Sequence, residues 1–219
     1  MRSAPDAQSW RPPQQQPWSW SAGNWTWSFT LGTAIWGLFW ACTAGAQDYD
    51  QVIRSDQSST VLLSKPGNSV LVDSGVTIAP ASGSGIYGRL GDRWHVTNWG
   101  TVLASLGESA VRLQDITSGV SNHGLIHGSG SGIDARSGLD LFNARRAEIR
   151  GHTGVIACNA LRLRNSGMIE GRTAGISYTP DFQGQPWEVV NDGLIQGGYF
   201  GVRSSASTDS VAEGSVHNL

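Results

Sequence analysis

Hydrolysis of a glycan needs two carboxylates facing each other across the sugar. Elimination of a uronate needs clustered acids for calcium beside a basic Arg or Lys. The acids weighed for either task are Asp92, Asp115, Asp134, Asp140, Glu148, Glu170, Asp181 and Asp192, eight of the 17 in the chain. They form no Asp-Asp pair, and their positions share no register that would set several on one face. Asp134 and Asp140 meet only if the chain between them folds back, and their Gly- and Ser-rich surroundings predict solvated turn residues. The histidines are His95, His123, His127, His152 and His217. His123 and His127 are four apart around Gly124, a spacing that gathers ligands on a helix but not in a strand and turn. Gly128-Ser129-Gly130-Ser131-Gly132-Ile133-Asp134 is a single Gly-Ser loop, not the calcium-binding repeat of Gly-Gly-x-Gly-x-Asp. Phosphate loops, nucleophile elbows and metalloprotease motifs are missing. The expectation is a chain with no catalytic, cofactor-binding or metal-binding residues.

Recognition has a better candidate. The stretch from Tyr178 through Phe182 to Trp187 is the longest excursion between repeats, and it sets aromatics beside polar side chains suited to a glycan or protein contact. The bland reading of the same stretch is that Phe182 or Trp187 folds back over the core edge. Arg145-Arg146 reads as a solvated bulge.

The elements that position these residues are repeats. Val120-Ser121-Asn122-His123-Gly124-Leu125-Ile126-His127-Gly128, followed by Gly132-Ile133, is the clearest copy of a template: apolar-x-Asn-x-Gly-x-Ile-x-Gly, then Gly-Ile or Gly-Val. Other copies centre on Asn98, Asn165 and Asn191. A degenerate copy at Asn143 carries two extra residues, and Asn218 opens one more. The interval from each of these Asn to the next is uneven, and an irregular period of about 20–27 residues predicts a solenoid. Alternation of apolar and polar residues in short runs predicts strands with one buried face, and the recurring Gly and Asn disfavour helices. The fold class expected is therefore all-β, a parallel β-helix in which each strand pairs with its counterpart one turn along. The residues Asn98, Asn122, Asn143, Asn165, Asn191 and Asn218 are expected to stack as a ladder, each tolerating a left-handed corner and bonding to the next. The glycines are expected to permit the tight corners. A leucine-rich repeat is disfavoured because the chain lacks Leu-x-x-Leu spacing and a helical return.

The chain divides into residues 1–46, 47–69 and 70–219. The first segment has Arg2 and Arg11, a long Trp-rich stretch, an apolar run from Phe29 to Ala41, and Ala44-Gly45-Ala46. That order describes a secretory signal peptide cleaved after Ala46, with an uncleaved anchor as the alternative. Trp10, Trp18, Trp20, Trp25 and Trp27 all fall ahead of the apolar run, an excess with no mechanism behind it. Cys42 would leave with this segment, so Cys158 would stand alone and the fold would hold without disulfides. A lone Cys in a β-coil is expected to be a small core residue. Residues 47–69, closed by Lys65-Pro66-Gly67-Asn68, read as a cap over the first coil. The coils follow, with Asp73 expected in the slot that Asn takes later. With one Lys and a net charge of −2, the chain has no basic footprint for nucleic acid. It stops inside a unit at Leu219, which predicts a fragment of a longer protein or a truncated remnant.

A signal peptide, a short cap and coils of this template resemble the N-terminal part of the passenger of a Gram-negative autotransporter of the adhesin type. The resemblance covers residues 70–219 and, more loosely, the signal peptide. It implies a right-handed parallel β-helix, export by the secretion machinery, and display at the cell surface if a C-terminal barrel is joined to it. Without a barrel, a periplasmic location follows. It also implies a non-catalytic role in adhesion, autoaggregation or biofilm formation. The partners would be an unspecified glycan or protein of a host or bacterial surface, or further copies of the chain. The alternative from another class is a β-helical polysaccharide lyase or hydrolase.

Overall fold

The structure is a computed structural model that describes residues 49–63, 69–89, 93–114, 117–180, 187–205 and 214–219. All belong to one compact unit, residues 46–219. The expected signal peptide and its cleavage after Ala46, Cys42, the turn at Lys65 to Asn68, Asp92, Asp115, Asp181 and Phe182 lie outside the described residues.

The described chain is made of strands and connections. Its first turn holds β1 (Gln51–Ile53) and β2 (Val61–Leu63). Next come β3 (Ser69–Val72), β4 (Thr77–Ile78) and β5 (Ile86–Gly88), and then β6 (His95–Asn98), β7 (Thr101–Leu103) and β8 (Val111–Leu113). The middle turns hold β9 (Ser118–Asn122), β10 (Leu125–His127), β11 (Ser131–Ala135), β12 (Gly138–Asn143), β13 (Glu148–Cys158), β14 (Ala160–Asn165) and β15 (Met168–Thr179). The last are β16 (Trp187–Asn191), β17 (Leu194–Gly197), β18 (Phe200–Ser204) and β19 (Gly214–Asn218). Every pairing among them is parallel and joins a strand to its counterpart one turn away, as in β6 with β9 or β12 with β14. The fold is a parallel β-solenoid.

The strands stand in three files. One is an eight-stranded sheet, β1-β3-β6-β9-β12-β14-β16-β19. The second runs through β4, β7, β10, the starts of β13 and β15, and β17; the third runs through β2, β5, β8, β11, the ends of β13 and β15, and β18. The strands β13 and β15 pass through both of the latter files, so their 11 and 12 residues exceed the few expected per strand.

Strand alternation aims one side chain in two at the interior. In the second file Ile78, Val102, Ile126, Ile149 and Ile169 fall in register and are fully buried. In the third, Ile86, Val111, Ile133, Val155 and Ile176 do the same. Stacking identical shapes on a strand spacing of ~4.8 Å gives each aliphatic side chain one like neighbour above and one below. The third file ends on Gly88, Leu113, Ala135, Ala157 and Tyr178. Where Gly88 leaves space, the buried indole of Trp94 fills it and donates its N–H to the Arg89 carbonyl at 3.0 Å.

Residues 51–63, within the segment expected as a cap, form a rung in register with the next, β1 on β3 and β2 on β5. Val72, not Asp73, is the partner of Asn98, so the position before the ladder is aliphatic and Asp73 falls one residue later, in the turn.

Candidate functional site

The ladder is the most regular polar feature of the interior. Asn98 Nδ2 donates to Asn122 Oδ1 at 2.9 Å, Asn122 to Asn143 at 2.9 Å, Asn143 to Asn165 at 2.7 Å, Asn165 to Asn191 at 2.8 Å and Asn191 to Asn218 at 3.2 Å. The first four are fully buried. Where Gly stands two residues on, the amide also closes its own turn: Asn122 Oδ1 accepts from Gly124 N–H, and Asn122 Nδ2 donates to the Gly124 carbonyl. The same pair of bonds links Asn98 with Gly100 and Asn165 with Gly167. This double clamp is the reason for the spacing Asn-x-Gly. The left-handed conformation expected of these Asn is not present: among the described non-glycine residues only Arg146 and Asn159 have positive φ. Asn suits the slot as a short carboxamide at a strand end, with donor and acceptor both engaged. The ladder serves the fold and leaves no polar group of its four inner members open to a ligand.

Chemistry is therefore left to the outward faces. The expected contact residues Tyr178 and Trp187 are not on one. Tyr178 continues the alternation Ile176-Ser177-Tyr178, which turns it inward; it is fully buried and donates its hydroxyl to the Asn159 carbonyl. Trp187 pairs with buried Leu161, so it too faces in, with its ring 5.6 Å from that of Tyr178. Asp134, expected as a solvated turn residue, is instead buried in β11. It holds Arg136 Nε at 2.9 Å and lies 3.8 Å from Arg112 Nε. Its hydrogen bond and charge push the Arg136 guanidinium further up. Cys158 occupies an outward position on β13 and is half-buried, which raises its thiol pKa and disfavours the thiolate. On the second file Arg150 bridges Glu148 at 2.9 Å and Glu170 at 3.6 Å, a solvated ladder of charge.

The eight-stranded sheet presents a different surface. Its outward residues form two files in register: His95, Gly119, Asp140, Arg162, Glu188 and Ser215, beside Thr97, Ser121, Phe142, Arg164, Val190 and His217. The small residues Gly119 and Ser121 leave a depression between larger neighbours, and the His95 ring lies over Gly119. The result is a shallow groove of about 450 Å³ crossing β6, β9, β12, β14 and β16. A second concavity of about 360 Å³ adjoins it, sharing His95, Gly119, Asp140 and Arg162. Asp140 and Glu188 thus share a register file with Arg162 between them. Glu188 carries no local signal in the sequence, and only the pairing of β14 with β16 places it on this face.

Phe142 is the apolar centre of the groove, 37% exposed. It is braced from behind. The Trp99 and His123 rings stack at 3.9 Å with 9° between planes, and His123 meets Phe142 edge-on at 5.7 Å. Burial lowers the His123 pKa. The unfolded chain then takes up a proton near 6.5 and the folded chain only at lower pH, so stability is lost as pH falls between the two. We expect the melting-temperature advantage of the native chain over His123→Gln to shrink as the buffer is acidified below 6.5. A difference that stays constant with pH would contradict this coupling.

Comparison of the chain with protein-family models, with curated proteins and with solved structures returns no significant match. Its class is set by its architecture, a parallel β-solenoid.

Proposed function

We propose that the chain is an exported, non-catalytic rod of the autotransporter-passenger type, acting in adhesion or cell aggregation. The observation that supports this most is the division of labour in each rung. The interior is taken up by stacked Asn and aliphatics, and the face of the eight-stranded sheet carries exposed Phe142, Asp140, Arg162, Arg164 and Glu188, side chains the fold does not require. A rod that repeats its scaffold and varies its exterior suits display of a binding surface. The segment before residue 47, read as a signal peptide, would deliver it. To test the reading, the chain is fused to an outer-membrane β-barrel in a non-aggregating Gram-negative host. The expected outcome is a mature N-terminus at Gln47, protease accessibility on intact cells, and settling of the culture. Retention of the N-terminal segment or a culture that stays dispersed would count against it.

One observation favours a second reading, a β-helical polysaccharide hydrolase or lyase. Asp140 and Glu188 stand two strand steps apart, ~9.6 Å at the backbone, near the upper end of the roughly 6.5–9.5 Å between the carboxyls of inverting glycosidases. Both are exposed, and among the described residues no neighbour bonds to either, so the rigid placement that catalysis needs is not built. Release of reducing ends from a polysaccharide, lost in Asp140→Asn, would establish it over the adhesive role.

A further inference from the structure

We propose that the groove on the eight-stranded sheet binds an uncharged, extended, β-linked hexopyranose chain lying across the strands. The inference rests on the adhesive reading and names its ligand. Three observations carry it.

The first is shape. The groove crosses five consecutive strands, four steps of ~4.8 Å or roughly 19 Å in all. It follows the stacking direction in a straight line, because each rung repeats the one before in register. A pyranose unit in a β-linked chain is about as long as one rung is high, so successive sugars meet successive rungs. A helically coiled α-linked chain would leave such a track.

The second is the mixture of groups. Phe142 offers an aromatic surface for the apolar C–H face of a pyranose, and its support by His123 and Trp99 fixes it before any ligand arrives. Asp140, Arg162, Arg164 and Glu188 flank it on the same face. Among the described residues the side chains of these four make no hydrogen bond or ion pair, although opposite charges sit on adjacent strands. Their donors and acceptors are left to solvent, and sugar hydroxyls, each both donor and acceptor, can engage either kind.

The third is charge. Asp140 and Glu188 offset Arg162 and Arg164, two against two, so the groove has no net attraction for a polyanion or a polycation. A uronate chain would set carboxylates against Asp140 and Glu188.

The test uses isothermal titration of the purified full chain with neutral β-1,4-linked hexasaccharides of glucose and mannose, and with β-1,4-linked hexamannuronate as the acidic counterpart. We expect at least one neutral chain to bind and hexamannuronate to bind more weakly. Phe142→Ala should weaken binding about tenfold or more through loss of the stacking surface. Arg162→Ala should weaken it as well, and Tyr199→Ala, outside the groove, should leave it unchanged. Because Phe142 and Arg162 are both exposed, the second variant decides the matter if the first fails to fold. The proposal is overturned if no neutral hexasaccharide binds, if hexamannuronate binds more tightly, or if both groove variants bind like the native chain. It is also overturned if Phe142→Ala abolishes self-association while no sugar binds, since the face would then be a contact between copies. Sugar binding by a chain that fails to aggregate cells sinks the adhesive reading and leaves the groove intact; aggregation without sugar binding does the reverse.

Discussion

Gly124→Ala is expected to destabilise the solenoid by about 3 kcal/mol or more, lowering the melting temperature by roughly 6–12 °C for a chain of this size. A Cβ on Gly124 would press into the Gly100 carbonyl oxygen and lie 3.0 Å from the Trp99 carbonyl group. The obstacle is backbone and has no rotamer to yield. That same oxygen accepts the Leu125 N–H at 3.0 Å, so moving it away breaks the first bond of β10 with the rung before. The arrangement recurs at Gly100, where a Cβ would strike the Val76 carbonyl that Thr101 N–H occupies, and at Gly193 against Gly167. The fifth rung supplies a natural control. There Ala147 stands in place of Gly, and the turn has gained Arg145-Arg146, with Arg146 at φ 69° and Ala147 N–H bonded to the Ala144 carbonyl. Alanine is admitted where two inserted residues swing the corner outward. Gly107→Ala is the contrasting variant: it has φ 80° and nothing within 4 Å of its Cβ. Only the conformational penalty of about 1–2 kcal/mol applies there. Equal melting temperatures for the two variants would show that close approach does not govern the repeat.

Asn143→Leu is the second large effect. Asn143 Oδ1 accepts from Asn122, and its amide reaches Asn165 Oδ1, the Met168 carbonyl at 3.2 Å and the Ala147 carbonyl at 3.4 Å. Leucine keeps the volume and removes all of them, leaving buried partners above and below short of a bond. At about 1–3 kcal/mol for each polar group stranded, the loss comes to roughly 3–5 kcal/mol. The cost should fall along the ladder, because Asn191 is only half-buried and Asn218 is exposed, where water replaces the lost amide. Asn218→Leu is thus expected to change stability by less than about 0.5 kcal/mol. Denaturant unfolding of Asn98, Asn143, Asn191 and Asn218 variants measures the gradient. Uniform losses along the series would mean that the amides act individually and not as buried, mutually supporting rungs. For the Asn143 variant a lowered m-value is also expected, since coupling between the two halves of the stack is interrupted.

These two variants mark how far the sequence alone could be read. The repeat, its parallel stacking and the positions of the Asn were all visible, because an in-register solenoid writes its spacing directly into the chain. The mechanism of the glycines was not. Gly124 and Gly171 look like residues needed for a left-handed corner, yet only Gly75, Gly83 and Gly107 among the described glycines have positive φ. What excludes a side chain at Gly124 is the carbonyl of Gly100, a full coil earlier, and no local pattern displays that contact. Tyr178 borders the excursion expected to make contacts, yet the alternation from Ile176 turns it inward. The groove was out of reach for a related reason. Asp140, Arg162 and Glu188 sit on three successive coils, and only the pairing of β12 with β14 and of β14 with β16 sets them side by side. An insertion such as Arg145-Arg146 shifts such counting without disturbing the stack.

The ladder amides all donate in one direction, from Asn98 toward Asn218, and Val72 ends the file on the other side. Each rung is held only by the rungs next to it. Pulled at its two ends, such a rod has no single point of rupture. It would give way from a terminus, one coil at a time, releasing 21 to 27 residues per step, or about 70–90 Å of extended chain. A stack built this way yields by lengthening under tension, and its inner coils stay folded while the outermost one lets go.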